Sequence, residues 1–216
     1  MEKKYLILLL FILLALLFFL FFPKMVENVA TKNSIVSTST VQPTGVPDVV
    51  YPIAEFKQRI TKKPFGIYVT PKNSPIQPER FTGFHTGVDV EYTDATSDVP
   101  VFAVCDGDIV LARWVSGYGG TVVLKCQINN TDYFVLYGHL RTSSITKNIK
   151  VLKGSQIAVL GKGKTLETDF EREHLHFSVH KNSLDLRGYV QKQSELNGWI
   201  DPILCPNEFY SKCVHE

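Results

Sequence analysis

Of the six histidines in the chain, three lie within the stretch Glu173-His174-Leu175-His176-Phe177-Ser178-Val179-His180. The stretch alternates polar and apolar without a fault. As a strand it turns Leu175, Phe177 and Val179 to one face and His174, His176, Ser178 and His180 to the other. Same-face neighbours on a strand lie about 6.6–6.8 Å apart along its axis. Two imidazoles at that spacing do not comfortably share one small metal ion, but one can ligate an ion while the other faces a reacting atom. Apolar anchoring beneath them is what such a site needs if its geometry is to hold. The plainer reading is a half-buried strand with an exposed histidine face, and the clustering of half the histidines at this spacing argues against it.

Two further histidine-bearing stretches stand out. In Gly83-Phe84-His85-Thr86-Gly87-Val88-Asp89-Val90 a helix would put His85 and Asp89 on one face, but Gly87, Val88 and Val90 disfavour a helix. In a fully extended strand the two would be about 13 Å apart, too far to share an ion. A histidine in a loop that bends at Gly87, before an aspartate that opens a strand, lets both side chains converge. Tyr137-Gly138-His139-Leu140 puts a histidine at the end of a strand. A His, an Asp and a second His make a three-ligand shell with a fourth position open to water, the arrangement of a catalytic rather than a structural zinc site. The four cysteines, Cys105, Cys126, Cys205 and Cys213, form no Cys-x-x-Cys pair, which disfavours a cysteine-based zinc site.

The elements that must hold these residues are mostly strands. Short apolar segments at hairpin spacing cover residues 99–104, 109–115, 121–128, 133–140, 149–152, 156–160 and 175–179. Turn residues such as Asp106-Gly107, Asn129-Asn130 and Lys153-Gly154 separate them. Residues 65–69 read as a further short strand, and 53–60 as one or two helical turns. No amphipathic helix of ordinary length is legible after residue 60, so the expected fold is mostly β with antiparallel sheets. The formal net charge of +2 gives no electrostatic case for nucleic acid or for an acidic substrate.

Upstream, residues 5–22 are an uninterrupted apolar run behind Lys3 and Lys4. At 1.5 Å per residue it would span roughly 27 Å, just enough for a bilayer core. Lys3 and Lys4 against Lys24 favour an N-terminus inside and the rest of the chain outside. The run is long for a cleaved signal, so residues 1–23 are expected to be an uncleaved transmembrane anchor. Residues 24–50 contain no aromatic and read as a flexible linker of about 26–31 Å root-mean-square span. Residues 51–216 then form the folded domain. An even cysteine count in an exported chain suggests two disulfides, expected as Cys105–Cys126 and Cys205–Cys213 among three connectivities.

Taken together, these motifs resemble the lysostaphin- or LytM-type zinc metalloendopeptidases, the peptidase domain with the duplicated hybrid motif, over about residues 60–203. The resemblance rests on His85-x-x-x-Asp89, Pro100-Val101-Phe102-Ala103, Asp106-Gly107-Asp108-Ile109-Val110, Gly117-Tyr118-Gly119-Gly120, Tyr137-Gly138-His139-Leu140, Lys153-Gly154-Ser155-Gln156-Ile157 and His174-Leu175-His176-Phe177, in that order. It implies that His85, Asp89 and His176 ligate one zinc ion. It implies that His139 and His174 stand beside the reacting water and the scissile carbonyl. It also implies a substrate class, the peptide cross-links of bacterial peptidoglycan, which a membrane-tethered domain outside the cell membrane would reach. The three ligating atoms should then converge within roughly 3–4 Å of one another, as ligands of one tetrahedral ion.

Departures and alternatives accompany that reading. The segment before His174, residues 161–173, is long and charged where the family usually has Gly, Ser and Thr, so cleft width and peptide preference are open. His180 is either groove wall or a solvated strand end, and Glu91 either supports Asp89 or is an exposed strand residue. Asp106 and Asp108 read as turn residues, Trp114 and Trp199 as packing, and His215 as remote from the site. The alternative functions are a catalytically silent wall-peptide-binding module that activates a partner amidase, and a zinc peptidase that processes exported proteins. The oligomeric state is not legible.

Overall fold

The structure, a computed structural model, describes residues 50–128 and 130–203. The expected anchor, the linker up to residue 49, and Cys205 and Cys213 lie outside the described residues. Among the described residues, strands dominate and the helical elements are short 3-10 turns, such as those at Thr142–Ser144, Leu166–Thr168 and Gln193–Gly198. The mostly-β, antiparallel expectation therefore holds.

The scaffold is built around the strand that carries the histidine pair, β10 (His174–Lys181). One edge of β10 pairs with β7 (Thr131–Leu140). Its other edge is shared by β3 (Gly87–Glu91) and β12 (Trp199–Ile200). From β7 the sheet continues through β6 (Gly119–Ile128), β5 (Gly107–Val115) and β8 (Lys150–Val151), each neighbour antiparallel. A second, three-stranded sheet orders β1 (Tyr68–Val69), β2 (Gly83–His85) and β11 (Tyr189–Val190), with β2 in the middle. A two-stranded sheet joins β4 (Pro100–Phe102) to β9 (Gln156–Val159).

The alternation read from the sequence sets which way β10 faces. Leu175, Phe177 and Val179 lie in the main hydrophobic cluster, together with Val88 and Val90 of β3 and Val135 and Tyr137 of β7. Phe177 meets Phe56 and Tyr137 edge-on, at ring-centroid distances of 5.5 and 5.3 Å. Each such side chain withdrawn from water contributes roughly 1.5–3 kcal/mol. A one-residue slip of β3 or β10 would turn these residues away from the core and the polar set into it, so the register is held by burial. The opposite face is not solvated either: His174, His176 and Ser178 are all buried. The second sheet and the 161–173 segment cover it.

Two backbone features aim side chains into the space between the layers. The first is Gly87, which crosses β10 opposite Ser178. A Cβ there would lie 2.5 Å from the Phe177 carbonyl oxygen and 3.0 Å from His176 Nε2, so only glycine permits this approach. The second is a bulge in β7. Val122 pairs with Tyr137 and Gly120 with Leu140, leaving Gly138 and His139 opposite Thr121 alone. In an unbroken ladder His139 would sit across from Leu175 and share its core face. With φ at +63°, His139 instead adopts the left-handed conformation and its ring enters the site. Cys105 and Cys126 are joined by a disulfide, as expected. It ties the segment after β4 to β6, away from the histidines.

Candidate metal centre

Three of the expected site residues meet directly. Asp89 and His176 are cross-strand partners in the β3–β10 ladder, so their side chains share a face. His85, at the end of β2, is separated from β3 by Thr86 alone and reaches the same point from the second sheet. His85 is thus the last residue of a short strand rather than part of a loop. The contacts form a nearly equilateral triangle. His85 Nε2 lies 3.1 Å from His176 Nδ1 and 3.3 Å from Asp89 Oδ1, and His176 Nδ1 lies 3.1 Å from Asp89 Oδ1. All three residues are buried, and they form the group of potential metal ligands found among the described residues.

Proton positions follow from the neighbours. His85 Nδ1 is 3.2 Å from the Pro64 carbonyl, which can only accept, so that nitrogen carries the proton and Nε2 presents a lone pair. His139 Nδ1 donates to the Thr168 carbonyl at 3.1 Å, and His174 Nδ1 to the Arg172 carbonyl at 2.9 Å. Their Nε2 lone pairs are likewise free for the cleft. At the triangle a lone pair of His85 therefore faces a carboxylate oxygen across 3.3 Å, with His176 Nδ1 beside both. Three potential ligand atoms this close are placed to share one cation, and in the metal-free chain a proton on His176 Nδ1 bonds Asp89 Oδ1. Two imidazole nitrogens and one carboxylate oxygen are a donor set suited to zinc.

His139 and His174 stand beside the triangle as a pair, ring centroids 4.2 Å apart, and His174 Nε2 is 3.4 Å from the second Asp89 oxygen. All four cleft residues, Asp89, His139, His174 and His176, line a cavity of about 340 Å³, with Arg172 and Tyr118 among its other walls. Burial would raise the Asp89 carboxyl, but His174, His85, Arg172 and the His176 hydrogen bond hold it well below the usual carboxylate range. Burial pushes the His139 imidazole down to about 3, against partial support from Asp89, and lowers His174 and His176 as well. The imidazoles are therefore neutral at pH 7 and can accept protons or bind a cation.

A stability consequence has a definite sign. In the metal-free chain His139 takes up a proton near pH 3 when folded but near 6.5 when unfolded. Between those values the unfolded chain binds the extra proton, so stability falls as pH drops from about 6.5 towards 3. Asp89 acts lower down: its stabilisation is present above the model-peptide value near 3.9 and is lost as pH falls towards its depressed folded value. The melting temperature of metal-free protein, followed by circular dichroism, should be level above pH 7 and decline below 6.5. The decline should be shallower for His139→Gln.

Several residues that shape the site were not singled out from the sequence. Arg172, buried at the end of the charged segment, donates to both Asp89 and Glu91. Glu91 is buried, which decides its reading in favour of support for the site. Lys63 pairs with Glu79 behind β2 and donates to the Tyr189 hydroxyl at 2.9 Å, while the Tyr189 ring packs 5.1 Å from His85. The Tyr118 ring lies 5.1 Å from that of His176. Of these, Glu91 had a signal in the strand face it shares with Asp89, and Tyr118 in its Gly-Tyr-Gly-Gly setting. His180 packs edge-on against Trp199 at 4.5 Å and bonds Ser183, outside the cleft. The 161–173 segment forms one wall of the cleft, pinned by Arg80 to Glu171 at 2.8 Å and by Asp169 Oδ2 to the Gly117 amide at 2.8 Å.

No curated protein matches the chain. Among solved structures, the catalytic domain of the antimicrobial peptidase lysostaphin from Staphylococcus simulans is 24% identical, covering 67% of this chain and 89% of its own, with a TM-score of 0.46. LytU is 22% identical, with 67% and 81% covered and a TM-score of 0.45. A chain of the SpoIIQ–SpoIIIAH pore-forming complex is 18% identical, with 71% and 98% covered and a TM-score of 0.44. Peptidase family M23 matches residues 83–187, a span that holds His85, Asp89, His139, Arg172, His174 and His176. On that match, and on the motifs it encloses, the β-domain of this chain belongs to peptidase family M23.

Proposed function

We propose that this protein is an exported, membrane-anchored zinc endopeptidase that hydrolyses peptide cross-links of bacterial peptidoglycan. The observation that carries the proposal is the triangle of His85 Nε2, Asp89 Oδ1 and His176 Nδ1, with edges of 3.1–3.3 Å. Ligands about 2.0–2.2 Å from one tetrahedral ion lie roughly 3.3–3.6 Å apart, so the triangle would need to open by only a few tenths of an ångström to admit one. Zinc held there supplies Lewis acidity to a peptide carbonyl and acidifies water.

The chain's own residues supply the rest. His139 and His174 are neutral, with Nε2 lone pairs free for the cleft, so either can take the proton of an attacking water. Their rings are too close for both to be charged at once, so the pair holds one proton at a time. The imidazolium so formed can stabilise an oxyanion and then return the proton to the departing amine. The Thr168 and Arg172 carbonyls keep both rings in the required tautomer. Burial excludes bulk water, which strengthens each of these interactions.

Residues 5–22 support the anchor, and the family's substrate class supports peptidoglycan. The test is incubation of the full chain, wild type and His176→Ala, with purified peptidoglycan. New amine ends and released muropeptides from the wild type alone support the proposal, and the fragment masses name the bond. A wild type that binds zinc yet leaves peptidoglycan intact would favour the processing of exported proteins or the activation of an amidase.

A further inference from the structure

Arg172 touches the site through two separate groups. Its carbonyl accepts the His174 Nδ1 proton at 2.9 Å. Its guanidinium, in a side chain 8% exposed, donates through Nη2 to Asp89 Oδ2 at 2.7 Å and to Glu91 Oε1 at 2.7 Å. Its Nε donates to the two Glu91 oxygens at 3.0 and 2.9 Å. One Asp89 oxygen is thereby engaged by the guanidinium and turned from the two imidazoles, leaving Oδ1 for the triangle.

A guanidinium next to a cation site should by itself oppose the cation, because like charges at this range repel strongly in a medium of low permittivity. Glu91 removes that objection. It is buried on the same strand face as Asp89, two residues on, and its contacts cover the Nε edge of Arg172. The Glu91–Arg172 pair carries no net charge, so it presents a fixed N–H to Asp89 without an excess positive charge. The planar fork of arginine can serve two carboxylates at once in fixed directions; a lysine ammonium cannot.

We propose that Arg172 is a positioning residue: with Glu91 as its neutralising partner, it fixes the Asp89 carboxylate so that a single oxygen is offered to the metal. The inference rests on the reading of His85, Asp89 and His176 as the metal centre. Outer contacts of this kind change metal affinity by about 10–100-fold. Within the charged segment before His174, Arg172 points inward as part of the site rather than outward as surface.

The test is zinc affinity of the full chain, measured by competition with a chromogenic chelator, with folding followed by near-ultraviolet circular dichroism. The charge-neutral double variant Arg172→Met/Glu91→Gln is expected to keep the folded spectrum and to bind zinc about 10–100-fold more weakly than wild type. Arg172→Lys keeps the charge but not the fork, and should fall in the same range; it decides the matter if the double variant does not fold. Folded variants that bind zinc as tightly as wild type would overturn the positioning role and leave the metal centre standing. A wild type that binds no zinc would overturn both.

Discussion

Asp89→Asn is expected to abolish stoichiometric zinc binding and to lower peptide hydrolysis on the order of 10⁴-fold or more. The substitution barely changes shape, so the expected loss is electronic. In the native chain Asp89 Oδ1 lies 3.1 Å from His176 Nδ1 and 3.3 Å from His85 Nε2, and it is the charged member of the triangle. A carboxamide supplies a neutral oxygen or a competing N–H at that point, leaving two neutral imidazoles to hold a dication. The fold should survive, because Arg172 retains Glu91 as a partner through Nε and Nη2. Elemental analysis of the purified variant and mass spectrometry of muropeptides would measure the two losses on one sample. Full zinc occupancy in Asp89→Asn would remove Asp89 from the ligand set.

His139→Ala and His174→Ala should each lower the hydrolytic rate by about 10²–10⁴-fold while zinc stays bound. Neither ring is part of the triangle, and each loses a proton-accepting Nε2 on substitution. The two are not equivalent. His174 Nε2 is 3.4 Å from Asp89 Oδ2, whereas His139 is held from behind by the Thr168 carbonyl. His174→Ala should therefore also weaken zinc binding modestly, and His139→Ala should not. If the pair passes a single proton, the double variant should lose little more than the worse single one. A rate within a few-fold of wild type for both single variants would exclude the pair from the reaction.

The parts of this site that were legible in the sequence are those written in a regular period. The alternation of β10 fixed its core face, and the long hairpin strands β5, β6 and β7 were readable to within two residues of their ends. The strands that were not readable are two or three residues long: β2, β11 and β12 are too short for any periodicity, and their pairing comes from the sheets they join. That His85 and Asp89 could converge was legible because Gly87 lies between them. The route by which His139 enters was not, since a bulge and a left-handed residue depend on the pairing of β6 with β7 rather than on local composition. Arg172 was hidden for a related reason. A charged run of mixed sign usually marks a solvated loop, and nothing local distinguishes the one arginine whose two carboxylate partners lie more than 80 residues upstream.

The measurement that tests the central claim most directly is zinc K-edge X-ray absorption on the full chain loaded with one equivalent of zinc. The account predicts one ion per chain with only nitrogen and oxygen neighbours and the multiple-scattering signature of two imidazoles, reduced to one imidazole in His176→Ala. A sulfur neighbour, an unchanged spectrum in that variant, or failure of the wild type to take up zinc would contradict a metal centre built from His85, Asp89 and His176.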